Sequence, residues 1–187
     1  SAKVNNLQIY TLSHAVSMRH RAALRVLDAS VFGAQSAWQD AEFDSPVPGK
    51  FEVSVIACVH ERVAGFAIAS RSDVESVHIH RIVVDHTYRN ERVGRRLMDS
   101  VEDRATTMRA SRVTLEFADS LNVAGFYKSL GYMRASTSEV RDYLERKSKQ
   151  MQDDLYLPLK HAQRFVYLKS LICDKIGIAE RISGTQD

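Results

Sequence analysis

Two imidazoles, a cluster of guanidiniums and one phenol are the groups in this sequence whose types and spacing could do chemistry. His78 and His80 stand two residues apart in VHIHRIVVD, Arg89, Arg92, Arg95 and Arg96 follow in TYRNERVGRR, and Tyr127 comes later in AGFYKSLGY. A neutral imidazole, with an ordinary pKa of about 6.5, can accept a proton at neutral pH. Guanidiniums grip phosphate oxygens in pairs of hydrogen bonds. A phenol, protonated up to a pKa of about 10, can give a proton away.

The elements that must position these groups are legible around them. At period two, His78, His80, Ile82 and Val84 share one strand face, and Val77, Ile79, Arg81 and Val83 share the other. From Arg95 the spacing turns helical, with Leu97, Met98, Val101 and Ala105 on one side. The first N–H groups of a helix lack internal partners and sit at the positive end of its dipole, so a helix start rich in arginine can cradle an anion. Gly94 would let backbone and ligand approach closely. On this run alone, a phosphate site and a merely solvated helix face are equal readings.

A second run, LNVAGFYKSLGY from Leu121 to Tyr132, follows the short strand RVTLEFA and reads as a short helix with Asn122 near its start and Gly131 at its end. Together the two runs resemble the GCN5-related N-acetyltransferase (GNAT) superfamily. Its pyrophosphate loop, Q/R-x-x-G-x-G/A, falls on Arg89 to Gly94, and its FYxxLGF-like signature falls on Phe126, Tyr127, Leu130, Gly131 and Tyr132. The resemblance implies an α/β (α+β) GNAT fold, a mixed sheet of about six or seven strands flanked by helices. It implies acetyl-CoA as acyl donor, with coenzyme A held by Ile82, Val83, Val84, Arg89, Asn90, Glu91, Arg92, Val93, Gly94, Arg95, Asn122 and Tyr127. Arg92 stands where the family has its first glycine. If that site is left-handed it carries strain of about 1–2 kcal/mol; Arg92 either offsets this by touching a phosphate or weakens cofactor binding.

The triplet His78-Ile79-His80, followed by Tyr88 and Arg89, narrows the resemblance to arylalkylamine N-acetyltransferases, the serotonin-acetylating group. That implies a primary amine as acceptor, His78 and His80 as the base system, Tyr127 as the acid that protonates the departing thiolate, and Phe32 as a contact to the substrate. Acceptors of a second kind, a peptide N-terminus, a lysine or a polyamine, fit the superfamily equally, as does a non-catalytic acetyl-CoA-binding module. An alkyl amine with a pKa of roughly 10 arrives protonated and must lose a proton before it attacks. Its attack on the thioester makes an oxyanion for which a backbone N–H near Val83 or Val84 is the donor. A metal reading of the histidines would need a third ligand from His60, His86 or a carboxylate, and no such spacing is present, so no metal is expected. Neither Cys58 nor Cys173 lies in these motifs, which disfavours an acyl-cysteine route.

The remaining sequence is expected to form one acetyltransferase domain over residues 1–187, with a core at about 7–160 and a C-terminal helical extension over 161–187. LQIYTL reads as a first strand, and His14 to Phe32 as helix with Ala22, Ala23, Val26, Leu27 and Ala29 on its apolar side. Ser36 to Lys50 reads as loop, with Trp38 and Phe43 available to wall a pocket, and FEVSVIACVHERVAGFAIAS as two strands. DDLYLPLKH is expected to be a closing strand, while Arg134 to Gln152 is open between helix and loop. From Ala162 to Ile182, the spacing of Phe165, Leu168, Ile172, Ile176 and Ala179 predicts a helix, which either packs on its own domain or joins two copies as a homodimer. A net charge of +3 is too small to argue for nucleic acid. The chain has no apolar run long enough to span a membrane, no visible leader through His20 and no disulfide framework, so a cytoplasmic protein is expected.

Overall fold

Seven strands form one sheet in the computed structural model, which describes residue 4 and residues 6–118, 121–150 and 164–171. They are β1 (Leu7–Thr11), β2 (Val55–Val59), β3 (Arg62–Arg71), β4 (Ser76–Val84), β5 (Arg112–Ala118), β6 (Met133–Arg134) and β7 (Arg164–Ser170). Their spatial order is β1-β2-β3-β4-β5-β7-β6, and β4 with β5 is the parallel pair among antiparallel neighbours. A parallel pair needs a long crossover, and here it is α5 (Val93–Thr107). The expected side of that helix is the buried one, with Leu97, Met98, Val101 and Ala105 all at 0% exposure against the sheet. Burial of each large apolar side chain there contributes roughly 1.5–3 kcal/mol.

The opposite face carries α1 (His14–Arg19) and α2 (Arg21–Phe32), separated at His20. The buried side of α2 differs from the expected one. Leu24, Leu27 and Asp28 face the sheet, whereas Val26 is 72% exposed. The stripe runs at i, i+3, i+4, and its third member is a carboxylate, which hydrophobic spacing alone cannot register. The segment expected as loop holds the short helix α3 (Asp40–Asp44), and α4 (Lys50–Val53) takes Phe51 to Val53 out of the run expected as strand, which begins at Val55. Glu42 starts α3 by accepting the Gln39 backbone N–H at 2.8 Å, and buried Lys50 closes it by donating to the carbonyls of Glu42, Phe43 and Ser45. Phe43 is 1% exposed and belongs to the core beneath, so of the two aromatics only Trp38 stays half-buried near the surface.

Beyond α6 (Ala124–Ser129) the ambiguous stretch resolves as α7 (Thr137–Gln150), started by a reciprocal cap in which Ser136 N–H donates to Glu139 and Glu139 N–H to Ser136. The C-terminal helix expected from Ala162 is corrected over its described part, because Arg164–Ser170 is strand β7, inserted between β5 and β6. Phe165 and Leu168 fit helical spacing, but they bound an unbroken apolar run, Phe165 to Leu168, rich in aromatic and β-branched residues, which suits a strand as well. Tyr167 and Phe165 stack toward Phe117, and the long edge of β5 supplies a full ladder from Arg112↔Ser170 to Ala118↔Arg164. This stretch is built into its own sheet and is not a helix that could join two copies. The strand expected at DDLYLPLKH and the remainder of the expected helix lie outside the described residues. Among the described residues no helix is long and apolar enough to cross a membrane.

Candidate active site

The parallel ladder between β4 and β5 stops early. It comprises Ser76↔Arg112, Val77↔Val113, His78↔Thr114 and Ile79↔Leu115, after which β4 continues to Val84 and β5 to Ala118 without pairing to each other. The strands therefore part, and among the described residues Ile82 to Val84 of β4 form no ladder pair with β5. Unmade strand hydrogen bonds inside a fold are costly, so such an edge is a ready site for an extended amide-bearing ligand.

A bulge sits at the point of parting. β3 pairs Ala69 with Ile79 and Ile68 with Arg81, which leaves His80 as the extra residue of β4. One extra residue reverses the alternation beyond it. His78 and His80 do share a face, with ring centroids 5.1 Å apart. The expected continuation through Ile82 and Val84 is corrected, since those two pack with Val77 and Ile79 on the α5 face. Arg81 and Val83 instead join the histidines on the α2 face.

His78 is 4% exposed and shares a 2.8 Å hydrogen bond between Nδ1 and Thr114 Oγ1, while half-buried His80 shares one of 2.6 Å between Nε2 and Ser70 Oγ. Arg81 lays its guanidinium 3.8 Å over the Phe32 ring and lies 3.4 Å from buried Asp28, whose other oxygen accepts the Trp38 N–H at 2.7 Å. Burial raises the Asp28 pKa, opposed by that N–H and by the Arg81 charge. Phe32 thus has one ring face covered by Arg81, and this cluster clamps the segment after α2 onto β4.

At the far end of the gap, Asp85 accepts the Thr87 N–H and hydroxyl, both at 2.8 Å, and folds His86–Tyr88 into a 3₁₀ turn. The loop then runs Arg89, Asn90, Glu91, Arg92 into α5. Asn90 and Arg92 both have left-handed φ, 66° and 61°. The first internal bond of α5 is Arg96 N–H to Arg92 carbonyl, which leaves the amides of Val93, Gly94 and Arg95 outside the helical pattern. Left-handed residues next to a helix start turn successive N–H groups into an anion-binding concavity. Around it the side chains of Arg89, Arg92, Arg95 and Arg96 are exposed. Arg92 therefore occupies the strained conformation that a glycine would hold without cost. A Cβ at Gly94 would stand 3.1 Å from Phe126 Cζ, so glycine there lets α6 pack on the start of α5.

Tyr127 lies on α6 at the same end, 6% exposed and stacked 5.4 Å from Phe117 of β5. Burial pushes its pKa up to about 12. It belongs to the core on the α5 face, so the sheet separates it from the histidines, with the open gap between. Asn122 is exposed in the turn before α6, with φ 49°. Cys58 is buried in β2 and its thiol is pushed up by that burial, which disfavours a nucleophilic role. Among the described residues no three His, Cys, Asp or Glu side chains cluster as a metal would need.

Two groups near the gap escape the sequence reading. Glu116 is the first residue of β5 past the last pair on the histidine face, and Tyr143 of α7 donates to its Oε2 at 2.6 Å. The Tyr143 ring also lies 5.4 Å from that of His78. Position in the FYxxLG region gave no signal for either; a strand parting beside a capped helix does.

A strand feeding a basic helix start is the arrangement the motifs implied, and the structure adds the parting of β4 from β5 beside it. The model of the Acetyltransferase (GNAT) family matches residues 22–132, more than half of the chain. The chain belongs to the GNAT family. It is an N-acetyltransferase by family, and the expected mixed sheet is the one observed. Similar GNAT structures include Ard1 from Thermoplasma volcanium, with TM-score 0.65 and 16% identity over 89% of this chain and 98% of that one. The ribosomal-protein-S18-alanine N-acetyltransferase of Escherichia coli gives 0.64 and 16% over 88% and 94%. Naa50 of Arabidopsis thaliana, in complex with the bisubstrate analogue CoA-Ac-MVNAL, gives 0.64 and 15% over 89% and 99%. At these identities the likeness is one of fold. No curated protein matches the sequence.

Proposed function

We propose that this GNAT domain transfers the acetyl group of acetyl-CoA to a primary amine, by direct attack in a ternary complex, and that the amine is a small arylalkylamine. The observation that carries the reading is the division of groups across the open gap. Anion-binding amides and Tyr127 lie at its end and on the α5 face, and the paired imidazoles lie on the α2 face. The pyrophosphate would sit on the amides of Val93, Gly94 and Arg95, ringed by Arg89, Asn90, Glu91, Arg92 and Asn122. The pantetheine arm would run along the unpaired edge of Ile82, Val83 and Val84.

His80, at the mouth of the gap and less buried than His78, takes the ammonium proton directly or through water, and His78 supports it. The amine nitrogen bonds to the thioester carbon, and the oxyanion is met by an N–H of Val83 or Val84. The C–S bond then breaks as the nitrogen gives its second proton to water, and the thiolate takes a proton from Tyr127, whose phenol is restored from solvent. Half-buried Trp38 and the uncovered side of Phe32 supply aromatic surface for an aryl group. A peptide N-terminus is the second reading, favoured by the proteins that share the fold, of which one acts on an S18 alanine and another holds a peptide-bearing analogue.

Release of free thiol from acetyl-CoA, followed over tryptamine, phenethylamine, polyamines and N-terminal peptides, decides between them. Turnover of arylalkylamines is the expected result. Turnover of peptides alone would overturn the narrow assignment, and turnover of none would overturn the transferase reading.

A further inference from the structure

Helix α7 occupies the histidine face beside the gap, and its one buried aromatic does more than fill space. Tyr143, 6% exposed, places its hydroxyl 2.6 Å from Glu116 Oε2 and its ring 5.4 Å from His78. The two partners belong to the two strands that part. His78 is in the last-but-one pair before the opening, and Glu116 is the first β5 residue beyond it. The Ser136–Glu139 cap starts the helix, and Arg146 Nε, 3.1 Å from Asp73 in the β3–β4 connection, ties it to the sheet. Tyr143 therefore ties both banks of the cleft to one rigid element.

From this juxtaposition we propose that Tyr143 is a positioning residue for acetyl transfer, fixing the Glu116 carboxylate at the mouth of the gap as the counter-charge that receives the acceptor as an ammonium ion. The proposal rests on the transferase reading above. A cationic amine entering a half-buried site needs an anion before it surrenders its proton, and Glu116 stands on the imidazole face where that proton would go. The phenol donates to the carboxylate and so holds it in one orientation. Tyr143 touches Glu116 and His78 and not the reacting atoms. β7 presents Val166 and Leu168 opposite Glu116 and Thr114, and His78 pairs with Thr114 across the ladder.

The test is steady-state kinetics of the full chain on whichever amine the thiol-release panel identifies, for wild type, Tyr143→Phe, Tyr143→Leu and Glu116→Gln. Tyr143→Phe keeps the ring against His78 and removes only the hydroxyl. It should lower kcat/KM for the amine about tenfold or more, the worth of one hydrogen bond to a charged group, with KM for acetyl-CoA unchanged. The acid limb that His80 sets as base should stay in place, while the loss in Tyr143→Phe and in Glu116→Gln should fall on KM for the amine. Tyr143→Leu should lose more than Tyr143→Phe, and thermal stabilisation by coenzyme A shows whether each variant is folded. If wild type acetylates no amine, the transferase reading fails and this proposal with it. If wild type is active and Tyr143→Phe matches it in rate and in KM for the amine, the role of Tyr143 alone is overturned. A loss that falls equally on kcat/KM for both substrates, with KM for the amine unmoved, would also overturn it, because that is the mark of a structural contact.

Discussion

Arg92 offers a test in which stability and affinity should move in opposite directions. Its φ of 61° and ψ of 13° put an L-residue in the left-handed region at the N-cap of α5, a conformation that costs about 1–2 kcal/mol. Glycine holds it without that cost but loses roughly 0.5–1 kcal/mol more backbone entropy on folding. Arg92→Gly should therefore stabilise the fold by about 0.5–1 kcal/mol, which for a chain of this size raises Tm by about 1–4 °C. Arg92→Ala removes the same guanidinium and keeps the strain, so it should show no such gain. If the guanidinium reaches a phosphate, both variants lose a charge-assisted hydrogen bond, which weakens coenzyme A binding by roughly 10–100-fold. That loss should shrink as salt rises. The measurements are urea denaturation without ligand and calorimetric titration with coenzyme A at two salt concentrations. Equal stability of the glycine and alanine variants would refute the strain argument. Wild-type affinity in both would show that Arg92 stands off the cofactor.

Three further outcomes are expected. With its pKa at about 12, Tyr127 stays protonated throughout an ordinary assay range, so Tyr127→Phe should lower kcat without moving an alkaline limb below pH 10; a limb that disappears in the variant would assign it to Tyr127. Because the folded pKa is raised above the ordinary value of about 10, this tyrosine contributes stability that is complete below pH 10 and lost between about pH 10 and 12, roughly 2–3 kcal/mol, and denaturation of the variant should show that much less loss. His80→Gln should reduce kcat about 10²–10⁴-fold, the ordinary worth of a general base, and more than His78→Gln does; the reverse order would exchange their roles. Arg81→Met should destabilise by about 3–5 kcal/mol by leaving the Asp28 carboxylate buried without its cation, and Asp28, whose folded pKa is raised, makes that penalty smaller at pH 5 than at pH 8. A penalty independent of pH, or one that persists when Asp28 is replaced by leucine in the same chain, would contradict this account.

How far the site was legible depended on whether a residue's neighbours in sequence were also its neighbours in space. The strand, loop and helix of residues 77–105 form one continuous piece, so periodicity placed Leu97, Met98, Val101 and Ala105 on the buried side of α5 correctly. The reversal after His80 was hidden because a bulge is set by the register of β3 against β4, and β4 alternates smoothly on its own. Asp28 was hidden because a buried carboxylate counts as surface in any hydrophobic pattern. Strand β7 was hidden because Phe165 and Leu168 fit helical spacing inside a short apolar run that suits a strand as well, and the edge of β5 decides between them. Glu116 and Tyr143 lie 27 residues apart, and only the packing of α7 across the parted strands brings them together.

The four-pair ladder between β4 and β5 also makes the sheet behave like two plates clamped along one short border. At about 3.3 Å per residue, the clamp is roughly 13 Å long, and the five residues of β4 beyond it reach roughly 16 Å further, to the threshold of the phosphate loop. Leverage follows from those lengths, because a small change of angle at the clamp becomes a displacement at the tip. Val77 and Val113, paired at the clamp and both at 0% exposure, are therefore levers on coenzyme A although no phosphate comes near them. A one-methyl change there should tune the width of the slot, which makes this border a place where affinity for the donor can drift without any change in the residues that hold it.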